Sequence, residues 1–510
     1  MEIKRDTALE RALCRAAGRM REFRLPFVAA MLFGLAAHMF AFSNKLVNAD
    51  DIESLFGKGA TITSGRWGLE AVKLIFPDAS MPWLYGLVSL VLLSASVCLI
   101  VHIFEIKEAL PRLLVAGLVT SFPSQTGTFC FMFTSSAYAL AFFMAVLAVC
   151  LFCRGGRRGA ACAVVLLALS LGIYQAYIAL AASLFILRML MACLDGREWK
   201  NVLAFGLRAL GVLILSVALY AAITLAVFHF TGAEFNDYVR DNANDRGLLG
   251  RVRMAYDFFV YYFTYREYAL ITGEASRWMH LLLIAVCALA LAVAAISRAR
   301  QGEGLSAALM LVCVGILPLG INCMYLAMAK SSVHTLVIYS FVALYVLAAI
   351  LLERVLGGGA VWRRAARDAA YAALTLALVS NIYFANETYL KLYLQYEQAY
   401  SFYSMLLTRV QSVEGFDEEC KLALVDREQT VALTRYDEID LGYLTGPSRD
   451  LVNIYSRENF IRRYLGSDIP LASPEEVKAV ERTDEFTQMG YYPYANSVRR
   501  IGNIIAVRLA

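Results

Sequence analysis

Charge is what this sequence has least of. Only 17% of its 510 residues are Asp, Glu, Lys or Arg, against 59% hydrophobic, and its mean hydropathy is +0.58. A water-soluble chain carries about 25% charge and 45–50% apolar residues, so a single soluble globule and a disordered chain are both excluded. With a formal net charge of +5, bulk positive charge cannot drive binding to nucleic acid. Metal-ligand spacing is missing as well: no CxxC pair has a second pair or a His partner at zinc spacing. There are 11 cysteines, an odd number. Cys98, Cys130, Cys150, Cys153, Cys162, Cys193, Cys287, Cys313 and Cys323 sit in apolar runs or at their edges, where small core residues are expected. No internal repeat relates two halves and no low-complexity linker interrupts the chain. No cleavable signal peptide is expected. The N-terminal stretch with Arg11, Arg15, Arg19, Arg21 and Arg24 feeds directly into an apolar run too long for one.

The shortage of charge is uneven. Residues 1–385 hold 33 Lys and Arg against 23 Asp and Glu, while residues 386–510 hold 14 against 19. A basic membrane part is therefore joined to an acidic tail that reads as soluble. About 18 to 25 apolar residues span the roughly 30 Å of hydrocarbon. Spans are expected near 25–43, 83–103, 129–153, 205–230, 279–297, 305–329, 335–353 and 366–385. Residues 112–123 end in Phe122-Pro123-Ser124 and form a short or broken span. Residues 159–194 are too long for one span and divide at Gly172-Ile173-Tyr174-Gln175. The reading is an all-α polytopic membrane protein of about 11 helices, with a basic segment at 1–24 and a membrane domain at 25–385. A small C-terminal α/β or α+β domain follows at 386–510. It starts with a helix at Tyr389–Val413 and continues through strands at Leu422–Val425, Val431–Leu433 and Ile504–Val507.

Seven Lys or Arg precede the first span, which puts that end in the cytoplasm by the positive-inside rule. Alternate short loops then hold Lys107 and Arg112; Arg154, Arg157 and Arg158; Arg197 and Lys200; Arg298 and Arg300; and Arg354, Arg363, Arg364 and Arg367. The intervening loops are nearly free of basic residues, Lys330 excepted. An odd number of spans sets the tail outside, together with two long loops, 44–82 and 231–278.

The first long loop opens with Asn48-Ala49-Asp50-Asp51-Ile52-Glu53-Ser54. Adjacent carboxylates raise one another's pKa, which suits a general base held near neutrality. The alternative is structural: Asp50 as an N-cap and Glu53 as its capping-box partner. Farther along, Arg66 beside Trp67 in Ser64-Gly65-Arg66-Trp67 can fork onto a phosphate while the indole anchors at headgroup depth; a snorkelling Arg in an aromatic belt is the competing reading. Gln175, next to Tyr174 at a helix break, can bind a sugar hydroxyl or satisfy freed backbone. His38 within the first span reads as a helix-to-helix hydrogen bond ahead of a ligand. In the second long loop, Arg240, Arg246, Arg251 and Arg253 precede an aromatic interfacial helix at Met254–Leu270. Arg246 there, and Lys330 with His334 on a short outer loop, are candidate contacts for a lipid phosphate; a solvated loop of mixed charge is the alternative.

Asn48-Ala49-Asp50-Asp51, Ser64-Gly65-Arg66-Trp67, Phe122-Pro123-Ser124 and Gly172-Ile173-Tyr174-Gln175 together resemble the Gtr-type (GtrII-like) family of bacterial O-antigen glucosyltransferases. The likeness covers roughly residues 25–385. It implies a GT-C-like fold in the bacterial inner membrane. It also implies an enzyme that takes a sugar, glucose by family, from a polyprenyl phosphate and passes it to a cell-envelope glycan or polymer on the extracytoplasmic face. An acidic residue of the first outer loop serves as the base in that class, and Asp50 and Asp51 are the residues that match it. A divalent cation on these acids is compatible with the class but not implied by it. Glu53, Arg66, Trp67, Tyr174, Gln175, Arg246, Lys330 and His334 are the expected substrate-binding residues. Two other readings compete: a lipid-linked glycan transporter or flippase, which calls for repeated halves and charge deep in the spans, and a non-catalytic envelope-assembly scaffold.

Overall fold

Apolar segments that leave water must satisfy every backbone N–H and C=O internally, and a helix does this within one segment. The computed structural model describes residues 20–57, 59–77, 79–243, 245–264, 273–328, 335–417, 419–425, 451–453 and 455–509. Its first half runs through α1 (Arg24–Ser43), α2 (Ala49–Glu53), α3 (Gly68–Val72), α4 (Pro82–Ile103), α5 (Ala109–Thr120), α6 (Pro123–Cys130), α7 (Met132–Cys153), α8 (Gly156–Ile173) and α9 (Tyr177–Leu194). Then follow α10 (Trp199–Thr231), α11 (Asp237–Asn242), α12 (Leu248–Thr264), α13 (Gly273–Arg300), α14 (Gly304–Ile321), α15 (Val342–Arg354) and α16 (Val361–Gln411). The tail holds β1 (Lys421–Val425), α17 (Arg457–Tyr464), α18 (Pro474–Glu481), α19 (Asp484–Thr487), β2 (Val498–Ile501) and β3 (Ile504–Arg508). Among the described residues nine helices are long and apolar enough to cross a membrane. The shorter α5 and α15 are apolar as well. The protein is an all-α membrane protein with a small sheet near its C-terminus.

The expected breaks occur where the sequence places them. Pro123 sits in the first turn of α6, the position at which its missing N–H is not needed. Tyr174 leaves α8 in an extended conformation (φ −151°, ψ 113°). Three boundaries differ. The span expected to reach residue 329 stops at Ile321, beyond Pro318, and continues as a 3-10 turn at Cys323–Leu326. The next starts only at Val342, after 3-10 turns at Thr335–Val337 and Tyr339–Phe341. The last expected span and the helix expected at 389–413 are one 51-residue helix, since no Pro or Gly punctuates residues 361–411. The strand expected at Val431–Leu433 lies outside the described residues. In the tail, β3 is central, pairing with β1 in parallel and with β2 antiparallel. Gly502, at φ +61°, opens the two-residue turn between β2 and β3, where a hairpin needs a positive φ.

The connections gather at two ends. At one end the Glu353 carboxylate accepts from the backbone N–H groups of Lys107 (3.0 Å) and Glu108 (2.7 Å). There Arg354 pairs with Asp195 and, at 3.6 Å, with Glu105, and Arg298 donates to the Leu194 carbonyl (2.6 Å). These are the connections that carry the alternating basic residues. At the opposite end lie α2, α3 and the tail. Between the ends, His38 is fully buried and joins three helices. Its Nε2 lies 2.8 Å from the Thr120 carbonyl, and its Nδ1 lies 2.8 Å from the Tyr389 hydroxyl. A carbonyl only accepts, so Nε2 carries the proton and Nδ1 accepts from Tyr389. This is the helix-to-helix role expected of His38. Interhelical hydrogen bonds in membranes average about 0.6 kcal/mol each. His38→Leu is therefore expected to cost about 1–2 kcal/mol, read as a lower unfolding temperature in detergent, with Tyr389→Phe losing about half as much.

Candidate active site

The first loop turns sharply after α1, and Asn48 starts α2 as its N-cap: its side chain accepts from the Asp51 N–H (2.9 Å). Capping therefore falls to Asn48, two residues before the position expected for it, and Asp50 caps nothing. Asn48 also donates to the Cys130 carbonyl, which fixes α2 against the α6–α7 junction.

The adjacent acids have different surroundings. Asp51 is fully buried. It pairs with Lys45, and its Oδ1 accepts from the Ser80 hydroxyl (3.0 Å) and the Phe133 backbone N–H (3.2 Å). Lys45 also donates to Ser80 (3.0 Å). Each Asp51 oxygen thus has a structural partner. Asp50 faces the other way, and its side chain reaches open space. Burial of its surroundings pushes its carboxyl above the ordinary range; the Arg66 guanidinium draws it back, and the Asp51 and Glu53 carboxylates push it up again. Glu53 turns toward the tail, accepting at Oε2 from Asn459 (2.8 Å). Its Oε1 is buried with no hydrogen-bond partner among the described residues.

Arg66 is the guanidinium that acts on Asp50. Its Nη1 is 3.2 Å from the Tyr138 hydroxyl, and its guanidinium sits 5.4 Å from the Tyr174 ring centre. Tyr138 and Tyr174 stack at 4.2 Å and are both buried, so the guanidinium rests at the edge of an aromatic floor built by α7 and the α8–α9 break. The loop that delivers Arg66 is braced from behind. Gln175 donates to the Ser64 carbonyl (3.0 Å) and the Tyr220 hydroxyl (3.1 Å), and Tyr220 donates to the Gly65 carbonyl (3.0 Å). Gly65 is left-handed at φ +68°, and a Cβ there would meet the Tyr220 oxygen at 2.6 Å. Trp67 packs on the bare face of Gly172 and donates to Thr224 (3.2 Å). Asn236 of the second long loop joins this brace through Thr63 and Ser64.

Of the expected site residues, Asp50, Arg66 and Tyr174 are brought together. Asp51, Trp67 and Gln175 hold the surrounding frame. Arg246 is exposed in the turn before α12, its carbonyl accepting from Arg251 (2.7 Å). Lys330 and His334 lie outside the described residues. Among the described residues no group of three or more His, Cys, Asp or Glu side chains could hold a metal ion. The ten described cysteines are free thiols.

An exposed carboxylate next to a guanidinium that rests on aromatic rings of apolar helices suits group transfer from an anionic lipid. The family comparison narrows the class: the family described as Glucosyl transferase GtrII matches residues 39–352. The chain belongs to this family. No curated protein and no solved structure matches it. The GtrII match contains Asp50, Arg66, Tyr138 and Tyr174, and it ends before α16 and the tail. Sequence reasoning passed over Tyr138, which is one aromatic among many in an apolar run. It also passed over Lys45, although six residues before Asp51 is a distance a tight turn can close.

The different surroundings predict different variants. Asp51→Asn leaves Lys45 without its counter-charge. It should destabilise by about 2 kcal/mol, less than the 3–5 kcal/mol of a fully buried pair because Lys45 is partly exposed. Asp50→Asn should stay within about 0.5 kcal/mol of wild type. Thermal unfolding of both variants in detergent checks the contrast.

Proposed function

We propose that this GtrII-family glycosyltransferase moves glucose from a polyprenyl-phosphate donor to an envelope glycan or polymer at the extracytoplasmic face of the bacterial inner membrane. The observation that carries the reading is an exposed Asp50 that caps no helix, beside an Arg66 held over Tyr174; on this reading the Arg66 side meets the membrane. A lipid donor arrives from that side, with its phosphate at the guanidinium. An acceptor hydroxyl oxygen attacks the anomeric carbon while the Asp50 carboxylate takes its proton. The bond from that carbon to the phosphate oxygen breaks, its electron pair leaves with the lipid phosphate, and Arg66 stabilises the departing charge. One displacement inverts the anomeric centre. Trp67 and Gln175 serve by bracing the Arg66 loop, and Glu53 lines the side of the site next to the tail. Arg246, Lys330 and His334 are further phosphate contacts on this reading. A divalent cation is not required by it.

The gathering of the basic connections at the end opposite Asp50 supports an orientation with that end in the cytoplasm. The N-terminal segment 1–24 then lies inside. Loops 44–82 and 231–278 lie outside, with the tail beyond residue 385. A reporter active only in the cytoplasm and fused after Ala510 should be silent; activity there would reverse the assignment.

The chemistry is tested with polyprenyl-phosphate [14C]glucose and membranes holding the full chain. Asp50→Asn should lower transfer by about 10²- to 10⁴-fold with normal insertion, and near wild-type transfer would remove Asp50 as the base. A base works ionised, so activity should disappear as pH falls through the Asp50 pKa, which burial has raised. Arg66 holds that pKa down. Arg66→Gln should therefore shift the acid limb of the pH–rate profile to higher pH, besides slowing transfer. An unmoved limb would separate Arg66 from the base.

A further inference from the structure

The tail, which the family match does not reach, packs against the short helix α2 that carries Asp50. Helix α17 presents two faces. Its inner face is buried on α16: Arg457 donates to the Tyr403 hydroxyl (3.2 Å), Phe460 lies 5.7 Å from the Tyr403 ring, and Tyr464 stacks on Phe460 at 5.3 Å. Its outer face meets α2. Arg463 Nη1 donates to the carbonyls of Ile52 and Glu53 (2.9 Å each), and Asn459 donates to the Glu53 carboxylate. A helix end leaves carbonyls without partners and carries partial negative charge, so a guanidinium there fastens α2 from its C-terminal end as Asn48 does from its N-terminal end. Tyr455 stands four residues before Asn459, at the turn into α17. It is 61% exposed. The next turn of α17 places Asn459 on Glu53, three residues after Asp50, and the Tyr455 hydroxyl is pushed up by burial first and then by the Asp50 and Glu53 carboxylates.

We propose that the tail supplies the acceptor side of the site: Tyr455 is the ring on which an acceptor sugar rests beside Asp50, and Asn459 and Arg463 are positioning residues that hold the helix carrying Asp50. The proposal rests on the transferase reading above. Two substrates of opposite polarity must meet at Asp50. The lipid-linked one enters past Arg66, Tyr138 and Tyr174. The polar one comes from the aqueous side, where Tyr455 is an exposed ring of the tail that also carries a hydroxyl. A Tyr offers an apolar face and a hydroxyl together, which matches the apolar face and hydroxyl rim of a sugar.

The test uses the full chain in detergent, polyprenyl-phosphate [14C]glucose as donor, and the envelope polysaccharide fraction of the producing cells as acceptor. Three quantities are measured: label in polysaccharide, free glucose released when water replaces the acceptor, and binding of the polysaccharide to donor-free protein. Tyr455→Ala should weaken polysaccharide binding and raise the half-saturating polysaccharide concentration about tenfold, while donor hydrolysis stays within about twofold. Arg463→Ala should lower transfer and hydrolysis together, through kcat, with polysaccharide binding unchanged. Arg463→Lys should recover part of this loss, since an ammonium can still donate to the α2 carbonyls. Polysaccharide binding by Tyr455→Ala equal to wild type overturns the acceptor side, and unchanged hydrolysis in Arg463→Ala overturns the positioning role. If wild type binds polysaccharide through Tyr455 yet neither transfers nor hydrolyses the donor, the donor assignment fails and the acceptor proposal stands.

Discussion

The candidate site depends on one ion pair, between a buried carboxylate and a partly exposed ammonium. Lys45 and Asp51 close the turn between α1 and α2, and Asp51 reaches on to Ser80, ahead of α4, and to the backbone of Phe133 in α7. Three separate stretches of the first 133 residues are thus fixed to one carboxylate. Burying a charge this completely is costly unless geometry and extra hydrogen bonds compensate, and here both oxygens are engaged. The result is a rigid short helix whose adjacent residue, Asp50, is left free for other work. A carboxylate that is tightly partnered makes a poor base, and a carboxylate without support is poorly placed. Adjacency in the chain resolves this: one acid fixes the backbone from which the other projects.

The same division runs through the rest of the site. Gln175, Tyr220, Trp67 and Gly172 carry no charge to a substrate; they hold the loop that presents Arg66. Polar groups in a nonaqueous frame are strongly committed to their partners because nothing else can satisfy them. This accounts for the hydrogen-bonded brace behind the half-buried guanidinium near Asp50. The aromatic floor of Tyr138 and Tyr174 adds an apolar surface of the kind a lipid chain tolerates.

Much of the architecture was legible because membrane helices follow from hydropathy alone. The break at Tyr174-Gln175 and the short α5 ending before Pro123 were readable from a polar interruption and from proline. The boundaries near Ile321 and Val342 were not, since the 3-10 turns there are as apolar as the helices they adjoin. The site was legible in part. Asp50 and Asp51 stood out as acids at a helix exit, but their opposite roles depend on Lys45, Ser80 and Phe133, which meet only in the fold. Capping was foreseen but assigned to Asp50 because the Asp-x-x-Glu spacing invited it, whereas Asn48 had the extended backbone a cap needs. Nothing in the sequence pointed to Asn459 and Arg463, more than 400 residues from the helix they grip.

The 51-residue length of α16 has a mechanical meaning. At 1.5 Å per residue a helix of this length is about 77 Å long, more than twice the thickness of the hydrocarbon layer. One end packs among the apolar helices and the other carries the tail, so the tail is indexed to the site by a single rigid shaft rather than tethered to it. Inserting one residue in the shaft above the apolar helices would turn everything beyond it by about 100°. Arg463 would then swing away from α2 although every local contact within the tail survived. The azimuth of the tail is thereby encoded in the residue count of one helix.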